Sequence, residues 1–137
     1  VVAALIVRGW VEGGCGKATG WVQVLRDPRL SRAIYAMHQQ PGLNWSVADL
    51  AKEAGTSRSV FAERFLAATG TTPARWLLHE RLLRAKDYLE SSRLSIDSIA
   101  EQTGFGQAST LRHHFRQQFA LSPAQYRKQF SRPDAVR

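Results

Sequence analysis

Cysteine is nearly absent from this 137-residue chain; Cys15 stands alone. A single cysteine excludes an internal disulfide and any cysteine-rich zinc site, and it fits a reducing compartment. Long apolar runs are missing too. No stretch approaches the roughly 20 residues of a membrane-spanning helix, so no membrane partner is expected. Residues 1–7 are apolar, but they are too few for a span and lack the basic start and processing site of a signal peptide. Histidine is sparse. His38, His79, His113 and His114 include no pair at the i, i+4 spacing of a helical zinc site, and neighbours on a helix point apart. Neither a metal nor another cofactor is expected. Acidic residues vanish near one end: none lies between Glu101 and Asp134, a stretch that holds Arg112, Arg116, Arg127, Lys128 and Arg132. Nothing there repels a polyanion.

The net charge is +8, with 44% hydrophobic residues. That content supports a globular core, and the charge favours a polyanionic partner, of which nucleic acid is the commonest. No nucleophile, base and orienting group stand in a recognisable set, so an enzyme is not expected. Gly13-Gly14-Cys15-Gly16-Lys17-Ala18 has some features of a phosphate-cradling loop. Val11 occupies the place of its first glycine, and Ala18 replaces the hydroxyl that would hold magnesium.

The chain repeats itself. Ser46-Val47-Ala48-Asp49-Leu50-Ala51-Lys52-Glu53-Ala54-Gly55 aligns with Ser95-Ile96-Asp97-Ser98-Ile99-Ala100-Glu101-Gln102-Thr103-Gly104 at an offset of 49. Beyond the glycine the offset is 50, pairing Phe65 with Phe115, Pro73 with Pro123 and Trp76 with Tyr126. Two copies of a small unit, each with a glycine-marked turn, match a paired helix-turn-helix layout.

Residues 1–11 form a short apolar segment whose type periodicity cannot fix. Gly13, Gly14, Gly16 and Gly20 mark a flexible linker. Asp27-Pro28 predicts a helix start, and Leu30, Ala33, Ile34 and Met37 follow at helical spacing up to Pro41-Gly42. Ser46, with Asp49 as a weak capping box, opens the next helix; Gly55 turns the chain, and Ser57 caps a helix to about Ala68. Thr72-Pro73 opens a long helix to at least Ser91, with Leu78, Leu82, Ala85 and Leu89 as its apolar stripe. Ser95 opens the second copy, Gly104 turns it, and a helix follows from Gln107 to Phe119. Ser122-Pro123 opens a last helix to about Phe130, with a frayed tail from Ser131. The fold expected is all-α, with about seven helices. Its parts are an N-terminal segment and linker (1–24), a first helix-turn-helix subdomain (25–71), a linker helix (72–91), and a second subdomain with a tail (92–137).

In the second copy Ser109, Arg112, His113 and Arg116 fall on one helical stripe, which Thr110 joins near its start. Arginine can hold guanine O6 and N7 with two hydrogen bonds, while serine, threonine and histidine can serve bases or phosphates. In the first copy the outward residues are Ser57, Arg58, Ser59, Ala62 and Glu63. Glu63 can accept from cytosine N4, or pair with Arg58 or Arg64. Such a stripe on an isolated helix is usually a solvated face; a repeated unit with a preceding glycine turn favours DNA reading. Helix N-termini near Ser57 and Ser109 would hold phosphates. A linker rod of about 27 Å matches in scale the roughly 34 Å between successive major grooves. Glu53, Glu63, Glu80 and Glu90 read as ordinary helix-surface charges, and Trp21, Trp45 and Trp76 as packing residues.

The repeat, the long joining helix and the motifs Gly55-Thr56-Ser57-Arg58-Ser59, Gly70-Thr71-Thr72-Pro73, Gly104-Phe105 and Leu121-Ser122-Pro123-Ala124-Gln125-Tyr126-Arg127 resemble the AraC/XylS-type transcription regulators over residues 27–130. The resemblance implies a helical DNA-binding domain, promoter recognition and contact with RNA polymerase. By position it implies base reading by Arg58, Ser59, Ala62 and Glu63, and by Ser109, Thr110, Arg112 and His113. The sequence departs from the family where Glu63 replaces a commonly basic residue. Leu111-Arg112-His113-His114-Phe115 resembles members with an amidotransferase-like sensor, whereas Leu25-Arg26-Asp27-Pro28-Arg29 with Met37-His38 resembles members with a cupin sensor. The chain begins with Val1 and reads as part of a longer protein; either resemblance implies a sensor domain upstream, with residues 1–11 as its last piece. The resulting expectation is a cytoplasmic, nucleoid-associated transcription regulator that binds double-stranded DNA at two successive major grooves. A basic helical module for an acidic protein partner and a non-specific nucleic-acid packing protein are the alternatives.

Overall fold

The computed structural model describes residues 26–132. The expected N-terminal apolar segment and glycine-rich linker, with Cys15 and Trp21, lie outside the described residues, as does the tail past Arg132. Among the described residues there are seven helices and no strand. They pack as two units. The first takes the chain through Gln40 and then Trp45–Leu77; the second takes Pro41–Asn44 and the chain from Leu78 onward.

In the first unit, α1 (Pro28–Gln39) starts where Asp27 accepts hydrogen bonds from the backbone N–H groups of Arg29 and Leu30, with Pro28 in the first turn. Its buried face is Leu30, Ala33, Ile34 and Met37. Helix α2 (Val47–Ala54) has a complete capping box rather than a weak one. The Asp49 N–H donates to Ser46 Oγ at 3.0 Å, and the Ser46 N–H donates to Asp49 Oδ2 at 3.1 Å. The backbone and hydroxyl donors of Ser46 hold the Asp49 carboxyl below the usual carboxylate range. Helix α3 (Arg58–Thr69) follows Gly55, which adopts the left-handed conformation at φ 72°. Phe61 and Phe65 are fully buried, and Phe65 meets Trp76 edge-on at 5.8 Å.

Helix α4 (Pro73–Ser91) runs unbroken through the boundary between the units. Trp76 and Leu77 join the first core, whereas Leu82, Ala85 and Leu89 join the second. The second unit continues with α5 (Ile96–Gln102), α6 (Ala108–Phe119) and α7 (Pro123–Phe130). Ile99, Leu111 and Phe115 are fully buried there; Phe119 is half-buried and packs against this core. Phe115 meets Tyr126 edge-on at 5.5 Å, so the aromatic pair of the first core recurs at the offset of 50. That offset also pairs Gly70 with Ala120. Both are left-handed, at φ 76° and 60°, and each ends the second helix of its copy.

Two sequence expectations change. Glu90 is not a plain surface charge, because it accepts a 2.9 Å hydrogen bond from the Tyr126 hydroxyl. The chain after α7 stays bonded through residue 132: the Arg132 N–H donates to the Glu90 carbonyl at 2.9 Å. Burial, with the bond to Glu90, raises the Tyr126 phenol well above the ordinary tyrosine range. A raised folded value means stability that is complete below pH about 10 and lost as pH climbs through the folded value. Alkaline titration should therefore show the Tyr126 phenolate appearing only with loss of helical circular dichroism. Tyr126→Phe should flatten that alkaline limb; an unaltered limb would mean another group sets it.

Candidate nucleic-acid interface

Each unit presents the helix after its turn with one face buried and the other in solvent. On α3 the buried face is Phe61, Phe65 and Ala68. Arg58, Ser59 and Glu63 are exposed and Ala62 is half-buried. Ser57 sits just ahead, exposed, with its hydroxyl oxygen accepting from the Val60 N–H at 3.4 Å. Its O–H proton is still free to be donated to a phosphate oxygen.

On α6 the buried face is Ala108, Leu111 and Phe115. Ser109, Arg112, His113 and Arg116 are exposed and Thr110 is half-buried. All ten residues singled out in the sequence thus lie on or at the start of a helix that directly follows a turn. Arg116 sits in the last turn, where the helix dipole favours a cation. The rings of His113 and His114 meet edge-on at 5.2 Å, although adjacent side chains start in different directions. His114 is half-buried and also contacts Phe105 at 5.9 Å, which leaves His113 as the outer imidazole.

The two helix starts differ. Ser57 caps α3, whereas α6 begins after Gln107, whose side chain makes no capping bond. Ser109 is therefore a first-turn residue of α6. The second turn is also built differently. Gly104 and Gly106 both adopt positive φ, at 88° and 78°, where the first turn uses Gly55 alone.

The basic stretch after Glu101 divides by role. Arg112 and Arg116 point to solvent, whereas Arg127 is half-buried. Its Nε donates to the Leu89 carbonyl and its Nη2 to the Ser92 carbonyl, both at 3.4 Å. Burial lowers its pKa, but an arginine remains charged at neutral pH. Arg127 thus serves the end of α4, a role invisible in the charge count. Trp45 and Trp76 are packing residues: Trp45 is half-buried against the first core and donates to the Gln40 carbonyl at 2.8 Å. Among the described residues no cluster of His, Cys, Asp or Glu is arranged to hold a metal, and no helix is long and apolar enough to cross a membrane.

Comparison with known proteins finds the same architecture. A family model described as a helix-turn-helix domain matches residues 50–129. An AraC-like transcription regulator of Streptomyces lividans is 34% identical over 93% of this chain, and the regulator AlkR of Acinetobacter baylyi is 37% identical over 80% of it. The chain spans 42% and 36% of the lengths of these two relatives. The crystal structure of the DNA-binding domain of AdpA, a global transcriptional factor in complex with a target DNA, is 38% identical with a TM-score of 0.68. That match covers 76% of this chain and 93% of the AdpA chain.

Proposed function

This chain belongs to the AraC-type family of helix-turn-helix proteins, and from that membership we propose that it is a sequence-specific reader of double-stranded DNA with one recognition helix in each unit. The observation that carries this reading is the α6 stripe. Ser109, Arg112, His113 and Arg116 stand exposed on the helix after the turn, in a stretch without acidic residues. On α3, Ser57, Arg58, Ser59, Ala62 and Glu63 are the corresponding set. Serine hydroxyls and the open N–H groups at the start of α6 suit phosphates, while Arg112 suits a guanine edge. Reading of two successive major grooves, one by each helix, follows as part of the same proposal.

Within a longer protein, the proposed role is promoter control. It includes contact with RNA polymerase, a sensor domain upstream and a place in the cytoplasm at the nucleoid. The relatives' names support regulation of transcription.

Selection of bound duplexes from a random pool, followed by salt titration on selected and scrambled sequences, tests the proposal. A specific reader prefers the selected duplex by about 10³ or more. Its affinity should fall with salt at a log–log slope of about −0.9 per neutralised phosphate. A salt slope without preference would mean a packing protein; neither property would mean a module for another kind of partner. Arg112→Ala should lose about 1–3 kcal/mol of discrimination at a single base pair. Equal weakening on every duplex would assign Arg112 to a phosphate instead.

A further inference from the structure

One arginine recurs in both copies, and its partners differ. In the first unit Arg32, on α1, donates through Nε to the Glu53 carbonyl at 3.3 Å and through Nη2 to the Ala54 carbonyl at 3.1 Å. It lies beside Gly55, where an added Cβ would stand 3.4 Å from Nη2. The offset of 49 carries Arg32 to Arg81 on α4, and Gly55 to Gly104. The pairing is kept and tightened: a Cβ at Gly104 would come within 2.7 Å of Arg81 Nε and 3.0 Å of Cζ. The acceptors have changed. Arg81 donates through Nε to the Pro41 carbonyl and through Nη2 to the Leu43 carbonyl, each at 2.8 Å. The carbonyl of Gln102, the counterpart of Glu53, instead lies so close to Gly42 that a Cβ there would collide with it. The segment Pro41–Asn44 thus packs in the second unit, between Arg81 and the end of α5.

The turn that this packing supports is tied to α5 through its backbone: the Phe105 and Gly106 N–H groups both donate to the Ala100 carbonyl, at 2.9 and 3.0 Å. Two of its residues are glycines at positive φ, and α6 starts without a side-chain cap. Glycine leaves such a turn many backbone choices. A planar guanidinium with two short bonds on one side and Gly104 against it removes several of them. Burial lowers the Arg81 pKa, yet the group remains charged at neutral pH, and hydrogen bonds from a charged donor are the stronger kind.

We propose that Arg81 is a positioning residue for base reading by α6, acting through the Gly104 turn and the Pro41–Asn44 segment seated beside it. The proposal rests on the DNA-reading function. Its test uses the full chain with Arg81→Met, Arg81→Lys and Gly42→Ala, each at a temperature where its helical circular dichroism matches that of the unsubstituted chain. Sequencing of duplexes retained from a random pool gives the preference at each base pair, and the position relaxed by Arg112→Ala marks the bases read by α6. Arg81→Met should reduce preference there by about tenfold or more, while the bases read by α3 keep theirs. Gly42→Ala should act on the same positions, and Arg81→Lys should fall between, since it cannot reproduce the fork. Amide exchange at residues 104–107 should quicken in Arg81→Met.

Preferences unchanged in Arg81→Met, or reduced equally for both helices, would overturn the proposal. If Arg81→Met does not fold, Arg81→Lys and Gly42→Ala carry the same comparison. If the unsubstituted chain selects no sequence, the DNA reading itself fails. Unchanged amide exchange in Arg81→Met would still refute the brace on its own.

Discussion

Phe115→Ala is expected to lower the unfolding free energy by roughly 3–5 kcal/mol. The ring is fully buried, and its centroid lies 4.6 Å from that of Phe119 and 5.5 Å from that of Tyr126. Truncation removes that apolar area from the core and leaves a space that the surrounding helices only partly close. A domain of this size has only about 5–15 kcal/mol in total, so the loss is large. Urea unfolding followed by circular dichroism measures it, and a shift below about 1 kcal/mol would contradict the packing described. Arg112 and His113 lie on the exposed face of the same helix. Any Phe115→Ala molecules that remain folded at low temperature should therefore keep their base preferences.

Glu80→Pro is the second large effect, at about 3 kcal/mol for a proline inside a helix. Leu82, on the apolar stripe of the same helix, is a poorer place for that break. It is 2% exposed and part of the second core, so a proline there would remove core packing along with the helix. Glu80 is half-buried in the same stretch, close to the boundary at Leu77, and α4 is continuous there. Under the proposed function, two half-sites separated by half a helical turn of DNA more or less than the selected spacing should bind the unsubstituted chain poorly. Glu80→Pro should bind all spacings alike. Gel-shift titrations on such a series provide the measurement, and a retained optimum would show that continuity of α4 does not set it.

Much of this fold is legible in the sequence because its signals are local. Asp27-Pro28, Ser46 with Asp49, Ser57, Thr72-Pro73, Ser95 and Ser122-Pro123 stand at the helix starts, and each acts over three or four residues. The exposed stripes on α3 and α6 were legible for a related reason: helical spacing alone sorts Arg112 and His113 from Leu111 and Phe115. Long-range bonds from side chain to backbone were not legible. Arg127 reaches the end of α4 across 38 residues of sequence, and Arg81 reaches Pro41 across 40. Periodicity carries no information about such links, and nothing in the acid-free stretch sets Arg127 apart from Arg112 and Arg116. Extending the repeat upstream to pair Arg32 with Arg81 would have flagged the position, though not its acceptors. The second turn was half legible: Gly104 followed from the repeat, whereas Gly106 and the uncapped start of α6 did not.

The seating of Pro41–Asn44 beside the Gly104 turn bears on how such proteins could be recombined. A designer who wished to transplant only the second reading head onto another scaffold would cut near Leu78, since the chain reads as two tandem modules. The graft would then lack the strip of backbone on which Arg81 closes. Despite its origin in a repeat, the downstream copy is no longer a self-sufficient cassette, and transplanting it requires a four-residue patch from between the first two helices of the upstream one.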